Sequence, residues 1–171
     1  VDGYLSNAVM WAEFINFYAS VTAYAKVLWP GQKVACEAMF DGLTGSAKAY
    51  FQQLNAYSDY IGVSYYPLNA DFTVKPVSVI STDFDTLVSQ NPSKPICFYQ
   101  YGYPSGSDCS SSQAQQAQFI TQTFTSWDNH ASNIRMIDFT WLHDMDSAAV
   151  NYYSVYYGIS DTIFLEFLGT L

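Results

Sequence analysis

The stretch Lys94-Pro95-Ile96-Cys97-Phe98-Tyr99-Gln100-Tyr101-Gly102-Tyr103-Pro104-Ser105 decides how this chain is read. It is a run of apolar and aromatic residues interrupted by one amide, and it enters a Gly/Pro turn. Such a run reads as a buried strand whose exit is marked by Gly102 and Pro104.

Working outward, the same punctuation recurs. Upstream, Asp59-Tyr60-Ile61-Gly62-Val63-Ser64-Tyr65-Tyr66-Pro67 is a second strand ending at a proline, and Lys33–Phe40 is a third. Downstream, Ile134–Trp141 is the fourth. Helical spacing fills the gaps. Trp11, Phe14, Ile15, Tyr18, Val21, Tyr24 with Ala25, and Leu28 mark one apolar face that Pro30-Gly31 terminates. Further helices are predicted over 46–55, over 81–89 with Thr82 as cap, over 113–129, and in the apolar tail 150–168. Asp41–Gly45, Ser105–Ser112 and His143–Asp146 read as loops.

Strands alternating with helices, each strand apolar on both sides, define an α/β protein with parallel strands. No linker, repeat or break in composition divides the chain, so residues 1–171 are expected to form a single domain.

Composition narrows the function. Charged residues make up 12% of the chain, about half of the usual ~25%. Aromatics make up 18%, with 15 Tyr and 12 Phe. Most of these belong in a core, but tyrosine also suits a cleft that meets sugar rings. A net charge of −9 with six dispersed basic residues argues against nucleic acid. Cys36, Cys97 and Cys109 have no zinc-ligand spacing, so no metal is expected. A Cys97–Cys109 disulfide and three free thiols both remain open. The apolar segment Tyr4–Trp29 is interrupted by Asn7, Glu13, Asn16, Ser20 and Lys26, which disfavours a membrane span. No cleavable signal peptide is visible at the start, yet low pI and uncharged polar loops point to a secreted, extracellular protein.

Three segments, taken in order, resemble the last three strands of the TIM-barrel glycoside hydrolase clan that includes endo-β-1,4-galactanases and cellulase-like enzymes. They are Asp59–Pro67, Gln100-Tyr101-Gly102-Tyr103-Pro104-Ser105 with Cys109–Phe119, and Phe139-Thr140-Trp141-Leu142-His143-Asp144. The resemblance implies half of a (β/α) barrel, strands five to eight, within a fold of ~250 residues. A half barrel leaves open strand edges. Either self-association closes it, as a homo-oligomer, or the chain is part of a longer protein.

The resemblance also implies a β-linked carbohydrate as partner, no cofactor, and a site at the strand C-termini. Gln100 stands at the nucleophile position, where the clan has Glu. The clan's acid/base Asn-Glu pair has no counterpart in the chain. An amide is a poor nucleophile. Three readings of Gln100 follow: a natural loss in a protein that binds sugar without cutting it, a Glu→Gln replacement that traps a ligand, or a catalytic group relocated elsewhere. Relocation points to Glu37, sharing a strand face with Asp41, and to Asp138 with Asp144. Burial of Glu37 would raise its pKa towards a general-acid range. Tyr65, Tyr66, Tyr101, Tyr103, Trp141 and His143 are the expected sugar-binding residues. The function expected is therefore glycoside hydrolase-like, with a non-catalytic carbohydrate-binding or scaffold protein on the same fold as the alternative.

Overall fold

The computed structural model describes residues 6–140 and 146–158. The elements run α1 (Ala8–Leu28), β1 (Glu37–Met39), α2 (Phe40–Thr44), α3 (Lys48–Asn55), β2 (Ile61–Tyr65), α4 (Val79–Gln90), β3 (Ile96–Tyr101), a 3-10 turn at Ser107–Cys109, α5 (Gln113–Asn129), β4 (Ile134–Phe139) and α6 (Ser147–Tyr157). The strands form one sheet in the order β1-β2-β3-β4. β1 pairs parallel with β2, with Glu37 opposite Gly62 and Met39 opposite Ser64. The later pairs join like ends. Ile61 N donates to Pro95 O and Ile96 N to Asn133 O at the strand starts, while Gly102 N donates to Tyr65 O and Thr140 N to Tyr101 O at the strand ends. The chain is thus α/β with a four-stranded parallel sheet alternating with helices, as the apolar runs imply.

Contacts divide the described residues into two compact units, neither of which is a continuous segment. The first takes the chain up to Ser64, with Thr86–Tyr99 and Ala131–Ile137. In it α1 docks through Trp11, whose ring lies edge-on to Tyr50 and Phe51 of α3 at 5.6 and 5.9 Å. Two and three turns further on, Tyr18 shares a 2.9 Å hydrogen bond with Ser58, and Thr22 is buried. Lys26 then reaches Asp59 at 3.0 Å. Asp59 also accepts from Val34 N at 2.9 Å, and this backbone bond, ahead of Lys26, holds its carboxyl below the usual range. Lys94 donates to the carbonyls of Asn55, the last residue of α3, and of Ser58.

The second unit takes Tyr65–Asp85, Gln100–His130 and the described residues from Asp138 onward. Its centre is an aromatic stack. Tyr101 lies between Tyr65, 5.2 Å away at 24°, and Phe119 of α5, 5.0 Å away at 28°. Phe84 of α4 and Phe139 meet the same ring edge-on at 6.2 and 5.3 Å. Tyr103 extends the stack on Phe119 at 4.7 Å.

Several local expectations are corrected. The first strand is three residues long rather than starting at Lys33, because the Val34 amide is taken by the Asp59 carboxylate. Phe40–Thr44 is a helical turn, so Asp41 lies in α2 and shares no strand face with Glu37. α4 begins at Val79, which places Thr82 inside the helix and not at its cap. The docked face of α1 carries Trp11, Tyr18 and Thr22, leaving Val21, Tyr24 and Leu28 exposed. That helix is apolar nearly all round, so spacing alone does not select the buried face. By contrast α5 begins where expected, with Ser112 Oγ accepting from Gln115 N at 3.2 Å.

Phe98 is wholly buried. Replacing it with Ala should lower stability by about 3–5 kcal/mol, read as a shift in the urea midpoint at unchanged slope.

Candidate functional site

One irregularity in the sheet positions the candidate site. Between the hydrogen bonds that join β2 to β3 at their two ends, Ile61–Tyr65 covers four residue steps while Ile96–Tyr101 covers five. β3 therefore carries one extra residue, a β-bulge. The burial of β3 shows where it falls. Ile96 and Phe98 are buried and Cys97 and Tyr99 half-buried, but exposed Gln100 and buried Tyr101 break the alternation. A regular strand would give Tyr101 the same side as Cys97 and Tyr99. The bulge instead puts its ring in the core and leaves Gln100 at the surface.

Gln100 sits beside Tyr66, whose hydroxyl donates to its Oε1 at 3.4 Å. Among the described residues that is its one side-chain hydrogen bond, so both amide N–H donors are open to a ligand. Gly102 fixes the neighbourhood. A Cβ there would lie 2.8 Å from the Tyr66 ring and 2.9 Å from the Thr140 carbonyl oxygen. Tyr66 also packs against a small cluster in which Leu68, Phe72 and Val74 surround buried Cys109. Val74 N bonds to Cys109 O at 2.9 Å, and Leu68 bridges Val74, so the loop after β2 is tied down.

The other expected sugar-binding tyrosines are core residues, a correction to the sequence reading. Tyr65, Tyr101 and Tyr103 expose no more than 2% of their surface. Their hydroxyls are all engaged: Tyr65 donates to Asp83 at 2.7 Å, Tyr101 bonds Thr123 at 2.8 Å, and Tyr103 donates to Lys75 O at 2.9 Å. Rings buried in this way cannot stack on a sugar. Trp141, His143 and Asp144 lie outside the described residues.

The acids are placed differently from the expectation. Glu37 is exposed rather than buried, and its Oε1 accepts from Ser64 at 2.6 Å. It faces the same side of the sheet as Met39, also exposed. Asp41 and Asp138 are exposed as well. Glu37 and Asp41 belong to the first unit, Gln100, Tyr66 and Asp138 to the second. Spacing missed Asp83, the carboxylate that orients Tyr65; its position on α4 four residues after Val79 offered no signal of that contact.

The three thiols are free. Burial pushes Cys36 and Cys97 up from the usual thiol range, which disfavours the nucleophilic thiolate. Among the described residues no group of three or more His, Cys, Asp or Glu could hold a metal ion, and no helix is long and apolar enough to cross a membrane. No protein-family model, curated protein or solved structure matches this chain. What the Gln100 site can do rests on its own chemistry. It offers neutral donors and acceptors beside a phenol, a set that matches the hydroxyls of a polyol.

Gly102→Ala should push the Tyr66 ring away from Gln100, costing about 1–3 kcal/mol by overpacking and removing the Tyr66 to Gln100 contact in a crystal structure of the variant. Burial, opposed by the Thr123 bond, raises the Tyr101 phenol above its ordinary value. The unfolded phenol ionises at about pH 10, so the stabilisation is complete below that pH and is lost as pH rises through the folded value. Urea midpoints should accordingly fall above about pH 10, and less steeply in Tyr101→Phe.

Proposed function

We propose that this chain is a glycoside-hydrolase-like module that holds a β-linked oligo- or polysaccharide at the Gln100 end of the sheet without cutting it. The observation that carries this reading is the bulge at Gln100, which turns a neutral amide outward where the resemblance places a nucleophile. Glycosidic cleavage uses two carboxyl groups, one to protonate the leaving oxygen and one to attack or to activate water. Gln100 cannot ionise, and Tyr66 beside it is a weak acid. A hydroxyl-rich sugar, however, can accept from the amide N–H groups and exchange hydrogen bonds with the phenol.

The finer architecture belongs to the same proposal. Strand order equal to chain order is how half of a (β/α) barrel would be wound. A second copy or further chain would then cover the edges at β1 and β4. Low charge and acidic pI support action outside the cell. Sedimentation equilibrium separates the two closures, because a strictly monomeric mass sinks self-association.

Calorimetric titration with β-1,4-galactan and β-1,4-glucan oligosaccharides tests the binding reading. Gln100→Ala should weaken binding about tenfold or more, equivalent to ~1.4 kcal/mol, while stability changes by no more than about 0.5 kcal/mol. Aryl β-glycosides should release no phenol with the natural chain. Turnover by the natural chain, or a failure to bind either sugar, overturns the proposal. Turnover that appears in Gln100→Glu marks the site as a disabled hydrolase.

A further inference from the structure

A second surface, sharing no residue with the Gln100 site, has the character of a sugar platform. α6 opens on Asp146, whose Oδ1 accepts from Ala149 N at 2.8 Å, and closes at Gly158 in the left-handed conformation, φ 63°. Between these caps the helix carries two adjacent Tyr-Tyr pairs, four residues apart. Helical residues at that spacing lie one above the other. Tyr152 therefore stacks on Tyr156, at 6.0 Å and 19°, and Tyr153 on Tyr157, at 5.9 Å and 16°. Tyr156 meets Tyr157 edge-on at 4.9 Å and 88°, joining the two pairs into one ladder.

Tyr152, Tyr156 and Tyr157 are 62%, 67% and 61% exposed, and none of the four hydroxyls has a hydrogen-bond partner among the described residues. One exposed tyrosine needs no explanation, but a contiguous aromatic patch is a surface that meets something.

Charge selects the occupant. α6 contains no charged residue, and the whole chain carries −9. Nucleic acid, an acidic glycan or an anionic bilayer would meet repulsion with no local cation to offset it. A neutral polyol meets none. Flat phenol rings suit the C–H faces of pyranoses, and free hydroxyls suit their rims. We propose that the tyrosine ladder of α6 binds a neutral polysaccharide, as a second contact beside the Gln100 site. This inference shares the carbohydrate reading above but depends on different residues.

Affinity electrophoresis through hydroxyethylcellulose or β-1,4-galactan, with polygalacturonate as the anionic control, tests it. Both neutral polymers should retard the natural chain, and polygalacturonate should not. The double variant Tyr152→Ala/Tyr156→Ala should weaken retardation about tenfold with an unchanged circular dichroism spectrum, while Tyr152→Phe/Tyr156→Phe keeps most of it. Should the alanine variant not fold, nitration of Tyr152 and Tyr156 in the natural chain decides, and neutral polymer alone should slow it. Unchanged retardation in the alanine variant, with loss in Gln100→Ala, overturns the ladder and leaves the Gln100 reading standing. The opposite pattern supports the ladder and overturns the Gln100 reading. No retardation of the natural chain overturns both. A variant that loses self-association or phosphatidylcholine-vesicle binding, with retardation intact, assigns the face to another occupant and overturns the ladder.

Discussion

The burial of Tyr101 is the constraint on which the candidate site depends. Its ring lies in a stack with Tyr65 and Phe119, closed at the edges by Phe84 and Phe139, and so gathers two strands and two helices of one unit around a single side chain. Ring pairs of this kind add about 0.5–1.5 kcal/mol each beyond the apolar area they bury. The phenol could not enter such a place with its hydroxyl unpaired, and Thr123 supplies the partner. Thr123 in turn donates to the Phe119 carbonyl at 2.8 Å, so the polar tip is passed into the α5 backbone.

The bulge and the stack explain each other. A regular β3 would turn Tyr101 to the side of Cys97 and Tyr99, away from the rings it packs on. The extra residue at the end of the strand allows the aromatic ring inward, and Gln100 is left outward as the consequence. The amide is thus displayed because its neighbour is buried. Tyr66, anchored by the Cys109 cluster and given room by the absence of a side chain at Gly102, is the other fixed member of that surface. A binding reading suits this arrangement because Tyr66 is held by packing, Gln100 is presented by the bulge, and neither carries charge.

Much of the fold was legible in the residues. The extent of α5 followed from an apolar period that starts after a Ser-rich loop. The core strands followed from apolar runs ending in Gly or Pro, and their alternation with helices made the sheet parallel. The candidate site was legible only in part. Gln100 and Tyr66 were found because they end strands, where the local punctuation is strong. Tyr65, Tyr101 and Tyr103 were misplaced because a strand apolar on both sides has no alternation from which to read a facing direction. Glu37 was misplaced for a related reason, since the side of the sheet it occupies is not encoded in its apolar neighbours.

What the sequence by itself determined is the α/β class, the sequential strands and a net charge of −9 that argues against polyanionic partners, all consequences of local pattern and composition. Tertiary structure decided which side chains face inward. The Asp59 carboxylate took the Val34 amide and shortened β1, and the stack around Tyr101 selected the bulged register of β3. α1 chose Trp11, Tyr18 and Thr22 from an almost uniformly apolar surface. Each of these is settled by contact between residues far apart in the chain, which is where local periodicity carries no information.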